Sequence, residues 1–340
     1  MTTEPNLFAQ QESNRRRSAL LIAGFVLFFA WIGFGGDLSW YLATRDLPPG
    51  AYHHLIPFTG LLTTAIAGSI AWYSWRHGAE RVLAAAGATE LIAPVAPEQQ
   101  RLVNVVEEMA IASGQPKPRI WLVPDQDPNA FATGRDAATA HLAVTEGLLA
   151  MLSRDELQGV VAHELAHVKN LDVRLMTLLA AMVGTIALMS DTLQRVWRYG
   201  GRVSVGGGSR GGKKGGNPLA IVVLVLWLVS LILAPFIARL LAMAVSRKRE
   251  YLADAMGAQF TRNPLALADA LEKIDGATGA TKAIARGAAH MCIVDPAERR
   301  ISANPGVLGD VFASHPPISL RIARLREMAY QQQEAGSRKQ

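Results

Sequence analysis

Long apolar stretches and short alternating ones take turns along this chain. Residues 18–36 and 55–75 carry no charge, and each approaches the roughly 20 residues a helix needs to cross a bilayer. Two further apolar stretches follow, 175–190, which is short for a span, and 218–238, which is long enough. Between the two pairs the periodicity changes. After Pro97-Glu98, residues Leu102, Val105, Val106 and Met109 fall on one stripe, which predicts a helix to about Ala112 that Ser113-Gly114-Gln115-Pro116 terminates. Three β-like runs, 119–123, 129–133 and 140–144, are separated by Pro, Asp and Gly, and they predict a small antiparallel sheet. Ser153 with Glu156 three residues on forms a capping-box pattern and predicts a helix from Arg154 past His167. Asn263-Pro264 reads as a cap and first-turn proline. From Pro317 a last amphipathic helix turns Ile318, Ile322 and Leu325 inward.

Composition and charge turn this pattern into a mainly α membrane protein. Half of the 340 residues are apolar and only 18% are charged, which suits a membrane protein better than a soluble enzyme. The formal charge of +6 permits nucleic acid or anionic lipid as a partner. Because the cations cluster beside apolar segments, lipid is the better match and nucleic acid is not expected. The bulky first stretch has no small-residue cleavage site after it, so it reads as a retained anchor. Arg15, Arg16 and Arg17 precede the first pair of stretches and Arg76 and Arg81 follow it, which places both ends of that hairpin in the cytosol.

The resulting plan has four parts. Residues 1–78 form a membrane hairpin with spans at about 18–40 and 55–75, and 79–174 the first part of a cytosolic domain. Residues 175–243 form an apolar helix pair around a Gly/Lys/Arg-rich loop at 199–217, and 244–332 complete the domain. If the second pair also spans, its loop carries six cations (Arg195, Arg198, Arg202, Arg210, Lys213 and Lys214) outside the cytosol, against the positive-inside tendency. A shallow cytosolic hairpin would resolve the conflict. Within the loop, residues 207–213 imitate a phosphate-binding loop, but Lys214 stands where Ser or Thr is required and no strand precedes it, so the match fails. The single cysteine, Cys292, allows no intrachain disulfide and reads as a small buried side chain.

The chemistry lies in His163-Glu164-Leu165-Ala166-His167. Two histidines four apart on a helix project from one face and can reach one metal. Glu164 stands one step round, placed to hold an attacking water without coordinating. A catalytic zinc takes three protein ligands. The candidate for the third is Glu250, with Asp254 one helical turn later to fix a ligand imidazole; an isolated glutamate among basic residues would otherwise read as solvated. Leu175 opens the third apolar stretch eight residues after His167, about 12 Å of helix, so a metal there would lie near the bilayer surface.

Four segments together resemble the HtpX family of membrane zinc endopeptidases, relatives of the CAAX prenyl proteases. They are residues 163–172, the Glu-Tyr-Leu-Ala-Asp of 250–254, the Asn-Ala-Phe-Ala-Thr-Gly of 129–134 and the Ser-His-Pro-Pro of 314–317. The resemblance covers residues 20–328 and implies a zincin-like protease domain with one Zn2+ per chain. It implies a multi-pass protein of the bacterial inner membrane, with a cytosol-facing site that acts in quality control of damaged or misfolded membrane proteins. It also suggests that Asn129 and Ala130 head an edge strand near the zinc, where an extended substrate could pair by its main chain. A turn asparagine after Asp-Pro explains Asn129 equally well. His315 would hydrogen-bond the developing oxyanion, or simply cap a helix. Arg321 would anchor Asp254, or be solvated. Asp172 and Asn170 read as braces of the motif helix. The long Gly/Lys/Arg insert and the Gln-rich tail depart from the family pattern.

Hydrolysis of peptide bonds in polypeptides, chiefly membrane proteins, is therefore the expected reaction, with Glu164 moving the proton from water to the leaving nitrogen. A CAAX-type prenyl protease is the enzymatic alternative, though two N-terminal spans match that larger group less well. A non-catalytic zinc-binding membrane adaptor is the other, and the presence of Glu164 argues against it.

Overall fold

The structure is a computed structural model and describes residues 7–44, 56–182, 221–229, 247–277, 291–293 and 316–337. His315, the loop at 199–217 and the remainder of the third and fourth apolar stretches lie outside the described residues. The chain divides into two compact units, the first made of Met1–Ser18, His77–Ala181 and Leu241–Gln340, the second of Ala19–Arg76 and Met182–Leu240. In chain order the elements begin with α1 (Leu7–Thr44), α2 (Phe58–Ala85), β1 (Thr89–Glu90), α3 (Pro97–Ser113), β2 (Arg119–Val123) and β3 (Ala130–Thr133). Then come β4 (His141–Thr145), α4 (Glu146–Met151), α5 (Arg154–Lys169), α6 (172–182) and α7 (221–229), followed by α8 (Arg247–Thr261), α9 (Pro264–Asp275) and α10 (Ile318–Ser337).

In the second unit α1 and α2 follow the first two apolar stretches. One helix among the described residues is long and apolar enough to cross a membrane, over Leu7–Leu42. α2 carries Thr, Ser, Tyr and Trp among its apolar residues and runs past the uncharged stretch to take in Arg76, Glu80 and Arg81. The two helices meet at Gly33, where an added Cβ would lie 2.7 Å from the Gly60 Cα, a backbone approach that only small residues permit. Asp37 is buried, and its Oδ2 accepts the Gly60 N–H at 2.7 Å. That amide belongs to the first turn of α2, where unpaired donors and the positive helix end favour a carboxylate.

The first unit holds the polar chemistry. Its sheet runs β1-β2-β4-β3 and is mixed, which corrects the antiparallel expectation. β1 pairs antiparallel with β2, β2 runs parallel to β4, and β3 is antiparallel to β4. The chain leaves β2, passes to the outer edge to make β3, and returns so that the fully buried β4 slots between them. Side-chain alternation encodes which face of a strand is buried but not which neighbour it takes.

α5 packs against α3, α8 and α9. Leu102, Val105 and Val106 of α3, Leu157, Val160 and Val161 of α5, and Leu267, Leu271 and Ile274 of α9 share one core with Leu325 of α10. The capping box closes the start of α5, with Glu156 Oε2 accepting the Ser153 N–H at 2.8 Å. Lys273 of α9 donates to the same carboxylate at 2.9 Å. Two glycines bring the helices unusually close. An added Cβ on Gly159 would fall 2.9 Å from the Leu267 Cα and N, and one on Gly257 would fall 3.1 Å from the His163 N. The second approach draws α8, and with it Glu250, onto the histidine-bearing face of α5.

Candidate metal centre

His163, Glu164 and Glu250 are almost wholly buried. Charged and imidazole groups are that deep only when something inside compensates them. The His163 and His167 Nε2 atoms lie 3.2 Å apart. Glu250 Oε2 is 3.6 Å from His163 Nε2 and Glu250 Oε1 is 3.6 Å from His167 Nε2. Each ring turns its other nitrogen to a carboxylate: His163 Nδ1 is 3.0 Å from Asp254 Oδ1, and His167 Nδ1 is 3.1 Å from Asp172 Oδ2. With His167 Nδ1 bonded to Asp172 and His163 Nδ1 turned to Asp254, the two Nε2 atoms face the same point beside a carboxylate, with Arg321 Nη2 3.4 Å from His163 Nε2. Three acceptors converge there only around a proton or a cation. Zinc bonds of 2.0–2.2 Å in a tetrahedron separate neighbouring donors by roughly 3.3–3.6 Å, so the donor set fits that ion.

Arg321 of α10 crosses the back of the site, fully buried. Its Nε donates to Asp254 Oδ2 at 2.9 Å and its Nη2 to Asp254 Oδ1 at 2.7 Å. Its Nη1 donates to the Ile293 carbonyl at 3.1 Å and lies 3.4 Å from Glu250 Oε2. Burial alone would raise the Asp254 carboxyl, but Arg321 and the His163 hydrogen bond outweigh it and hold the group below the usual carboxylate range. Burial lowers His163 against the opposing Asp254 bond. For His167, burial is overcome by the Asp172 hydrogen bond and by Glu250, which raise it to about 9. Burial lifts Glu164 to about 7, against the opposing charge of His167 and a hydrogen bond from the Ala132 N–H. A bidentate buried pair such as Arg321–Asp254 is strongly coupled. Arg321→Ala should therefore lower stability by about 3–5 kcal/mol in denaturant unfolding, and a second change, Asp254→Leu, should recover much of that loss.

The structure thus brings His163, Glu164, His167 and Glu250 into one cleft, sets Asp254 and Arg321 in contact behind them, and leaves His315 outside the described residues. Asn129 is buried at the head of the edge strand β3, with its N–H donating to Thr145 Oγ1 at 2.9 Å. The Ala130 carbonyl accepts the Ile293 N–H at 3.0 Å, so the main chain of this edge is already paired at that residue.

Three contributions escaped the sequence reading. Asp172 holds the His167 imidazole because Leu171 adopts a left-handed φ of 59° and turns the chain back on the end of α5. No glycine or asparagine marks that bend at its pivot. Arg249 lines the cleft with a buried guanidinium that has no hydrogen-bond partner among the described residues and lies 3.7 Å from Asp172; in sequence it is one of a run of basic residues. Met291, Cys292 and Ile293 form part of the wall, and nothing in their spacing advertises it.

Residues 96–329 match the model of peptidase family M48. The protease HtpX homologue of Caldanaerobacter subterraneus subsp. tengcongensis is 37% identical over 328 residues, covering 96% of this chain and 99% of that protein. The one from Dictyoglomus thermophilum is 41% identical over 82% of this chain and 84% of its own length. The one from Streptococcus gordonii is 35% identical over 95% of this chain and 100% of its own. Among solved structures, S. mikatae Ste24p is a distant likeness, with a TM-score of 0.44 and 19% identity over 94% of this chain and 66% of that one. A family match over two thirds of the sequence, joined to near full-length likeness to these proteases, makes the chain a member of peptidase family M48.

Proposed function

We propose that this protein is a membrane-anchored zinc endopeptidase of the bacterial inner membrane, cleaving damaged or misfolded membrane proteins at a site that faces the cytosol. The observation that carries the reading is the convergence of His163 Nε2, His167 Nε2 and a Glu250 carboxylate within 4.8 Å, with Glu164 buried beside them. His163, His167 and Glu250 are the residues that would hold the metal, and zinc there would supply Lewis acidity toward the water and the scissile carbonyl. Glu164 takes the proton of the attacking water and passes it to the leaving nitrogen. His315 is assigned to the developing oxyanion. Asp254 and Asp172 keep both ligand rings in the tautomer that leaves Nε2 free, and Arg321 fixes Asp254 in turn. An extended substrate would pair with β3, the sheet edge headed by Asn129 and Ala130; because Ala130 is engaged by Ile293, pairing there requires that segment to yield.

The four-part division at 78, 174 and 243, with spans at 18–40 and 55–75 and a second apolar pair, is the topology that accompanies this function. It is supported by the apolar α1 and by the flanking arginines. The test is purified full-length protein in lipid vesicles with an unfolded membrane protein as substrate. A chelator should abolish cleavage and added zinc should restore it. Cleavage that persists undiminished after metal removal would refute the reading, and equal turnover of soluble unfolded proteins would refute the substrate preference.

A further inference from the structure

We propose that Asn14, ahead of the first apolar stretch, is a positioning residue of the metal centre that acts through Asp172 on His167; this rests on the reading of His163, His167 and Glu250 as metal ligands. Asn14 lies in a run that looks purely electrostatic, and the side chains of Arg15, Arg16 and Arg17 are indeed exposed. Asn14 itself is fully buried, as is Ser18. Gln11, Asn14 and Ser18 share one face of α1 at helical spacing, and that face sits on the C-terminal end of α5. Gln11 Nε2 donates to the Lys169 carbonyl at 2.7 Å and Asn14 Nδ2 to the Asn170 carbonyl at 2.8 Å.

Docking alone would need no more than these carbonyl bonds, which satisfy acceptors at the end of α5. Asn14 does one thing more. The same Nδ2 donates to Asp172 Oδ1 at 2.7 Å, while Asp172 Oδ2 is the atom 3.1 Å from His167 Nδ1. One carboxylate oxygen is therefore held by the N-terminal segment and the other by the ligand imidazole. Without the amide donor, Oδ1 keeps only the longer approach of Arg249 Nη1 at 3.7 Å, the carboxylate is freer to rotate about its Cβ–Cγ bond, and the ring it orients is less firmly directed. Partners of ligand histidines influence metal affinity strongly. The segment before the membrane anchor thus belongs to the zinc site, although it lies far from the ligands in sequence.

The test uses the full-length protein in detergent, with zinc affinity measured by chelator competition and ligand geometry by the visible spectrum of the cobalt(II)-loaded protein. Asn14→Asp keeps the shape and replaces the donor by an acceptor facing Asp172. Zinc affinity should fall about 10–100-fold and the cobalt bands should shift. Gln11→Ala, which removes a docking bond but no contact to Asp172, should stay within about twofold of wild type with an unchanged spectrum. In an Asp172→Asn background the Asn14 substitution should add little, as two members of one linkage are not additive. Should Asn14→Asp fail to fold, Asn14→Ala carries the same comparison without a new charge. Wild-type affinity and spectrum in the Asn14 variants would overturn the proposal, and so would an equal loss in Gln11→Ala, which would make the segment a mere dock. Failure of the wild-type protein to bind zinc would instead overturn the ligand assignment itself.

Discussion

Glu164→Gln should leave zinc bound and lower kcat/KM by about 10²–10⁴-fold, the usual contribution of a positioned general base. The substitution is isosteric, and the amide oxygen can still accept the Ala132 N–H that the carboxylate accepts. Neither ligand imidazole is touched. What disappears is the ability to take a proton from water and return it to the leaving amine. Full-length protein should therefore bind zinc as the wild type does in a chelator competition while failing to cleave substrate. Activity at the wild-type rate would remove Glu164 from its assigned role. The wild-type pH profile should carry the same signature. Burial raises the Glu164 carboxyl to about 7, and the positive charge of a bound cation would pull it down again. The base works ionised, so kcat/KM should rise with pH along a limb lying below about 7, and that limb should be missing from the residual activity of Glu164→Gln.

Glu250→Gln should do the opposite: metal and activity should be lost together. An amide carries no charge to offset a divalent cation, and the Glu250 carboxylate lies 3.6 Å from each of the two Nε2 atoms. Outer contacts to ligand histidines are worth about 10–100-fold in metal affinity, so loss of a direct charged ligand should exceed about 100-fold. Stabilisation by ligand follows the ratio of its concentration to the dissociation constant. Added zinc should raise the melting temperature of the wild type and of Glu164→Gln, and barely move that of Glu250→Gln. A variant that kept normal zinc content would exclude Glu250 from the donor set. The contrast between the two substitutions separates proton transfer from metal binding in a way neither can alone.

Those expectations were legible in sequence to unequal degrees, and the differences have physical causes. The His163–His167 spacing is a local property of a helix, so the sequence exposes it directly. Glu250 with Asp254 also shows its helical spacing, and Ser153–Glu156 and Asn263–Pro264 mark helix starts because capping is local chemistry. The inward stripes of α3 and α10 follow from periodicity in the same way. Strand order does not: β4 lies between β2 and β3, a choice made by long-range packing. Asp172 reads as a helix brace until the left-handed Leu171 folds it back against His167. Asn14 is obscured by its neighbours, because three consecutive arginines suggest a solvated membrane-flanking segment, and only burial reveals that one side of it faces protein.

The separation of the proposed ligands along the chain has a bearing on biogenesis. Roughly eighty residues, including both apolar stretches of the second pair, lie between His167 and Glu250. At about 5–20 residues per second of synthesis, a ribosome needs roughly 4–16 s to travel from one to the other. Throughout that interval the emerging polypeptide carries two imidazoles and no third donor, and the arginine that steadies Asp254 appears later still. With the donor set proposed above, the metal centre can close only after Glu250 has been made, so most of the chain is synthesised before a complete site exists.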